Sequence, residues 1–258
     1  MRKISGSYGE YKTSGPGGGK VSEVKPRFKR ILLKLSGEVL AGGKGFGIDP
    51  ETVSRYAQEI ADVARMGTQV GIVIGGGNIW RGKMGPHMNR SRADSMGMMA
   101  TIMNCLAMQD ALQHLGLRAV TQTSVNIPQF AEFFVRDKAV AHLEEGTVVL
   151  FAGGTGNPYF TTDSAAALRG LEIGADVVIK ATKVDGVYDS DPMVNPEAVR
   201  FPELTYAEVL KRNLKVMDAA AISLCMDNGM PILVFDIVTP GNLVKVIAGE
   251  NIGTLVKE

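Results

Sequence analysis

Seven short β-branched or leucine-rich runs recur along the chain: 31–35, 70–74, 118–123, 147–151, 176–180, 232–235 and 254–256. Helical patterns lie between the first of them. Asp49-Pro50 reads as an N-cap followed by proline in the first turn. Val53, Tyr56, Ala57, Ile60, Ala61 and Ala64 then make one apolar face, which Gly67 closes. A second helix is predicted from about Ala93 to Leu115, and a third from Asp163-Ser164 to Gly174. Strands that alternate with helices imply right-handed crossovers and a mainly parallel sheet covered on both faces. The prediction is therefore an α/β chain, a three-layer αβα sandwich. Residues 184–215 break the rhythm with turns and an acidic cluster, and a smaller lobe is expected there.

Composition narrows the functional classes. The 258 residues carry 28 Lys+Arg against 27 Asp+Glu, a net charge of +1, which gives no general reason to expect nucleic acid as a primary ligand. No apolar stretch approaches the roughly 18–20 residues of a membrane span, and no apolar segment follows Arg2 and Lys3 as in a secretory signal. A cytoplasmic protein is the expectation. Cys105 and Cys225 lie far apart with no CxxC, which suits packed thiols in a reducing compartment, with a pair bridged in space as the alternative. The three histidines form no metal-ligand spacing. Residues 1–29, rich in Gly, Ser and Lys, read as a flexible tail, with a nucleic-acid-binding arm as the other reading; 30–258 is the folded unit. Met96, Met98, Met99, Met103 and Met108 on the second helix suit adaptable core or subunit-interface packing, or else a cofactor or partner surface.

Ligands of open α/β sheets bind beyond the carboxyl ends of the strands. There the chain places Lys34-Leu35-Ser36-Gly37, then Gly75-Gly76-Gly77-Asn78 followed by Arg81, then Gly153-Gly154-Thr155-Gly156, then Lys180 to Tyr188. Glycines at strand ends bring backbone N–H groups close to phosphate oxygens, although any one pair alone is also an ordinary tight turn. Three such loops with Lys34, Arg81, Lys180 and Lys183 suit two phosphorylated substrates meeting end to end, since phosphoryl transfer needs alignment and well-placed positive charge. Neither a P-loop nor a dinucleotide GxGxxG is present.

The runs RILLKLSGE (30–38), VIGGGNIWRG (73–82), AGGTGNPYFTTDSAA (152–166), KATKVDGVYDSDP (180–192) and LKVMD (214–218) resemble the bacterial uridylate kinases of the amino-acid-kinase family, in order, from about Arg30 to the last residue. The glycine string IGGGN is shared with other branches; GTGNPYFTTDSAA is the specific stretch. The resemblance implies the amino-acid-kinase fold, a homohexamer, and magnesium-dependent transfer of a phosphoryl group from ATP to UMP in pyrimidine nucleotide synthesis. It implies catalytic roles for Lys34, Arg81, Asp163 and Lys180, with Asp163 orienting the catalytic lysines and magnesium. ATP would meet Lys34, Leu35, Ser36, Gly37, Gly77, Arg81, Thr182, Tyr188 and Asp191. UMP would meet Gly76, Asp94, Thr155, Gly156, Asn157, Pro158, Tyr159, Phe160, Thr161 and Thr162. Gly42, Gly43, Lys44, Gly45, Phe46 and Gly47 correspond to a segment associated with GTP activation, and UTP would inhibit. The magnesium would be held through nucleotide phosphates, with no metal ligand set of the protein's own.

Plainer roles stand beside these. Asp94 reads equally as a first-turn carboxylate favoured by the helix dipole, and Asp163 as an N-cap. Lys180 could be a strand-end lysine in water, Tyr188 could pack in the small lobe, and Gly42–Gly47 could be only a flexible loop. The loop 83–89 is shorter than in some relatives. Two other functions fit the scaffold: a family member phosphorylating a carboxylate or carbamate, and a non-catalytic nucleotide-binding storage or regulatory protein.

Overall fold

The side chains of β1 (Arg30–Leu35) divide between two cores: Ile31, Leu33 and Leu35 enter one, and Leu32 the other. Strand side chains alternate between faces, so a strand apolar on both must be covered on both. The computed structural model describes residues 25–258 apart from 82–86, 191 and 193, and it has that architecture. Its main sheet runs in the order β4 (Glu132–Phe133), β3 (Ala119–Thr123), β5 (Val148–Ala152), β2 (Gln69–Ile74), β1, β6 (Val177–Thr182), β10 (Ile232–Asp236), β11 (Thr254–Lys257), β9 (Glu203–Thr205). Every pairing is parallel except that of β10 with β11.

Helices α1 (Pro50–Arg65), α2 (Arg90–His114) and α7 (Asn242–Ile247) pack on one face. Helices α3 (Arg136–Glu144), α4 (Thr162–Glu172), α5 (Tyr206–Lys211) and α6 (Ala219–Asp227) pack on the other. Cys105 and Cys225 are free and belong to opposite cores, so the sheet itself separates them; burial pushes both thiols up to about 12. No helix among the described residues is long and apolar enough to cross a membrane. Just before β1, Arg27 N–H donates to the Ile247 carbonyl, and the N–H groups of Lys29 and Arg30 both reach Asp176 Oδ2. The expected tail therefore lies mostly outside the described residues.

The expected small lobe is shorter than 184–215. Among the described residues, only the antiparallel ribbon of β7 (Val187–Tyr188) and β8 (Arg200–Phe201) forms a sheet separate from the main one. The ribbon still packs on the body through Val187, which lies in the second core and whose N–H donates to Thr254 Oγ1, and Leu204, Tyr206 and Val209 from β9 onward are apolar enough to be drawn fully into that core. Of the methionines on α2, Met108 is buried, whereas Met96, Met99 and Met103 lie on its exposed side.

β1 sits between β2 and β6, and the connections leaving its two neighbours diverge. That divergence opens a crevice beyond the carboxyl end of β1.

Candidate active site

Lys34 and Lys180 are register partners on β1 and β6, pointing to the α4 side of the sheet as Leu32 and Val178 do. Asp163, the second residue of α4, lies between them. Its Oδ1 is 2.7 Å from Lys34 Nζ, and its Oδ2 accepts a hydrogen bond of 3.0 Å from Lys180 Nζ. Lys180 also donates to the Val216 carbonyl. All three side chains are at least four-fifths buried. Burial opposes ionisation of Asp163, but Lys34 and Lys180 together hold its carboxyl below the ordinary aspartate value. Burial pulls the Lys180 ammonium down, against Asp163 and with the help of Lys34. The trio carries a surplus positive charge, which suits an anionic ligand.

Two plainer expectations are corrected here. Lys180 is not a solvated strand-end lysine. Asp163 is not an N-cap: Thr161 holds that position, its hydroxyl oxygen accepting from the N–H groups of Asp163 and Ser164. The Thr161 hydroxyl itself donates to Asp218, which also receives the Ser164 hydroxyl at 3.0 Å and the Ala221 N–H at 2.8 Å. One carboxylate thus caps α6 and anchors the start of α4. Asp218 stood in the LKVMD run but was given no role from sequence.

Gly37 and Gly76 are there because the loops after β1 and β2 touch each other and α2. A Cβ built on Gly37 would fall 2.2 Å from the Gly75 carbonyl oxygen and 2.5 Å from Asn78 Oδ1. On Gly76 it would fall 2.8 Å from the Gly97 carbonyl oxygen and 2.9 Å from Ala100 Cβ, both on α2. Gly75 N–H donates to the Leu35 carbonyl, and Ser36 Oγ accepts from Glu38 N–H to start a 3-10 segment, Gly37–Lys44. The Leu35 side chain is fully buried, which leaves only its backbone for a ligand. Arg81 folds back over this turn, with Nε donating to the Gly77 carbonyl at 3.0 Å and Nη2 lying 2.7 Å from Glu38 Oε1. Its guanidinium remains half exposed at the mouth.

Asn78 and Asn104 form a fully buried amide pair beneath the turn. Sequence reading assigned neither a role. The available signal was an amide on the core stripe that α2 makes with Cys105, Met108 and Leu112, a position where a polar group requires partners.

After β5 the backbone turns left-handed at Gly153, Gly154 and Gly156, and again at Tyr159 with φ 75°. Tyr159 N–H donates to Asp94 Oδ2 at 2.8 Å, and Arg90 Nε donates to both oxygens of Asp94. Asp94 is therefore not a first-turn carboxylate. Asn89 caps the helix, α2 begins at Arg90, and Asp94 lies in the second turn, braced to the loop. Thr155 and Asn157 bond to one another, while the rings of Tyr159 and Phe160 are exposed. Thr162 opens α4 behind Pro158 and Thr161.

On the far side of the crevice, Thr182 ends β6 as the register partner of Asp236, and its hydroxyl accepts from Val184 N–H. Tyr188 sits on β7, its hydroxyl 2.5 Å from Asp185 Oδ1. Asp191 and most of the 83–89 loop lie outside the described residues. In the 42–47 segment, Gly42, Gly45 and Gly47 have positive φ, Lys44 pairs with Asp49 at 3.3 Å, and Phe46 is exposed. Gly47 N–H donates to the Asn78 carbonyl, which ties that segment to the turn after β2.

The crevice thus brings together three backbone-lined loops and a cationic trio, a set able to hold and neutralise phosphate oxygens. The sequence over residues 29–236 matches the amino acid kinase family. The chain belongs to the amino acid kinase family. Its fold superposes on a UMP kinase from Bacillus anthracis with a TM-score of 0.87 and 37% identity, covering 89% of this chain and 96% of that one. A UMP kinase from Ureaplasma parvum gives 0.85 and 38%, covering 90% and 100%. An aspartate kinase from Synechocystis, at 19% identity and a TM-score of 0.65, shares the amino acid kinase fold over 39% of its own length.

Proposed function

We propose that this chain is a UMP kinase, transferring the γ-phosphoryl group of ATP to UMP to give UDP and ADP. The observation that carries this reading is the likeness to two UMP kinases over nearly the full length of both partners. The Lys34–Asp163–Lys180 cluster supports the chemistry. A transferring phosphoryl group spreads charge over its equatorial oxygens, and preorganised cations in a low-dielectric crevice stabilise that charge without reorganising. Lys34, at the carboxyl end of the central strand, would face the transferring group. Asp163 would hold both ammonium groups in position, and Arg81 would close on the phosphates from the mouth. UMP would lie between the 153–162 loop and Asp94, and ATP along the Ser36–Gly37 and Gly77 backbone, with its adenosine toward Thr182, Tyr188 and Asp191.

Among the described residues no group of three His, Cys, Asp or Glu side chains could hold a metal ion by itself, and Asp163 already has a lysine against each oxygen. The site fits a magnesium ion carried in on the nucleotide phosphates. Bound there, it would add to the neutralisation of their charge. A place in pyrimidine nucleotide synthesis and a cytoplasmic setting follow from the substrates. The catalytic unit is residues 30–258. A homohexamer, GTP activation through Gly42–Gly47 and inhibition by UTP are carried by the resemblance alone.

An ADP-release assay with UMP, CMP, acetylglutamate and carbamate as acceptors tests the reading. Turnover with UMP is expected. Turnover with an acid but not with UMP would transfer the chain to the carboxylate-phosphorylating branch, and ATP binding without turnover of any acceptor would favour a storage or regulatory role.

A further inference from the structure

One face of α2 looks onto the carboxyl ends of β2 and β5, and it carries Thr101 and Asn104 in line with the apolar Cys105, Met108 and Leu112. Asn104 is fully buried. A buried amide is destabilising unless its hydrogen bonds are made. Here both donors are used: Asn104 Nδ2 reaches the Gly75 carbonyl and Asn78 Oδ1, each at 2.7 Å. Asn78 Nδ2 returns a bond to Asn104 Oδ1 at 3.0 Å and gives another to the Gly47 carbonyl at 2.8 Å. The Gly75 carbonyl held in this way is the same atom that leaves no room for a side chain on Gly37. Its height therefore sets the spacing between the loops after β1 and β2. One turn earlier on α2, the Thr101 hydroxyl oxygen accepts Gly153 N–H at 2.9 Å and donates to the Met98 carbonyl.

We propose that Asn104 is a positioning residue for phosphoryl transfer, fixing the Gly75–Gly77 turn through Asn78 and the Gly75 carbonyl. Thr101 fixes the Gly153 loop from the same helix face. Asn104 does not face the crevice and touches no phosphate; its effect is on alignment, where a displacement of about 1 Å lowers a rate by about 100-fold. The claim deepens the UMP kinase reading and rests on it for the identity of the reaction. It has a readout of its own in Trp80, the sole tryptophan, whose backbone N–H donates to the Gly76 carbonyl and whose ring lies against Gly97 of α2.

The experiment compares the full-length protein with Asn104→Ala, Asn104→Asp and Cys105→Ala. Cys105→Ala hollows the same helix without touching a loop. The aspartate keeps the shape of asparagine and donates one hydrogen at most, so it serves if the alanine variant does not fold. The Asn104 variants should lose about 100-fold in kcat, with KM values within about threefold, and Trp80 emission should shift to the red. Cys105→Ala should keep kcat within about twofold at whatever thermal midpoint it shows. A folded Asn104 variant with unchanged kcat and unchanged emission overturns the proposal, as does an equal kcat loss in Cys105→Ala. If the unaltered protein does not phosphorylate UMP, the UMP kinase reading falls by itself. Trp80 emission then decides the positioning claim: a red shift in Asn104→Asp supports it, and an unchanged spectrum overturns it.

Discussion

Lys34 and Lys180 face each other as register partners across β1 and β6, and their ammonium groups end against the two oxygens of a single carboxylate, Asp163. Two like charges are held this close in a buried place only because Asp163 sits between them. The arrangement yields unequal expectations for the three residues.

Replacing Lys34 by Met should leave the Asp163–Lys180 pair intact, so the fold should survive with a melting temperature near that of the unaltered protein. Activity should not survive: loss of one preorganised charge at the reacting group lowers kcat by about 100- to 1,000-fold. Steady-state kinetics beside a circular-dichroism melt checks both halves. Turnover like that of the unaltered protein would remove Lys34 from the catalytic role.

Asp163→Asn should damage stability as well as activity, because it strands two buried ammonium groups; breaking a buried ion pair costs about 3–5 kcal/mol. The pH dependence has a definite sign. The native carboxyl lies below its unfolded value, so the stabilisation is fully present above about pH 4, the unfolded range for aspartate. It is lost as pH falls through the native value. Urea midpoints should therefore differ most between the two proteins at neutral pH and converge in acid. A gap that widens toward acid would contradict the ion-pair assignment.

Gly37→Ala puts a methyl group 2.2 Å from a backbone oxygen that cannot rotate away. The two phosphate loops must part. The expected outcome is a loss of about 1–3 kcal/mol in stability with a fall in kcat, read from denaturant titration and kinetics. An alanine variant with normal stability would show that the loops are less closely joined than this spacing implies.

Asp94→Asn keeps an oxygen for Tyr159 N–H but removes the charge that pairs with Arg90. KM for UMP should rise about tenfold while KM for ATP stays within about twofold. Equal effects on the two substrates would argue against the division of the crevice into two sites.

Much of this architecture was legible because strand signals are local. All seven apolar runs became strands, and the Asp49-Pro50 cap marked the start of α1. The overlooked helices gave weaker cues. α3 has no side-chain cap and only two buried residues, Ala139 and Leu143, and α7 starts from a left-handed glycine. α5 did carry a signature, the Thr205–Glu208 capping box, inside the stretch expected to form a lobe. At the site, Lys34 and Lys180 could be suspected from their strand-end positions. That Asp163 orients these lysines was implied only by the family resemblance and not by the residues themselves, since it depends on β1 and β6 being neighbours although 141 residues lie between them. Asn104 and Asp218 were harder still: Asn104 bonds the Gly75 carbonyl and Asn78, and Asp218 the Thr161 and Ser164 hydroxyls, all remote in sequence, and no spacing along the chain encodes that.

The alternation of β1 has a further bearing on how the protein is made. Ile31, Leu33 and Leu35 feed the first core, and Leu32 and Lys34 lie on the other side. A slip of one residue during assembly would drive the Lys34 ammonium into the aliphatic layer against α1 and turn three large hydrocarbon side chains toward Asp163. Such a chain could neither bury its charge nor fill its interior. Molecules able to complete folding are thereby restricted to those whose reactive lysine already points the right way.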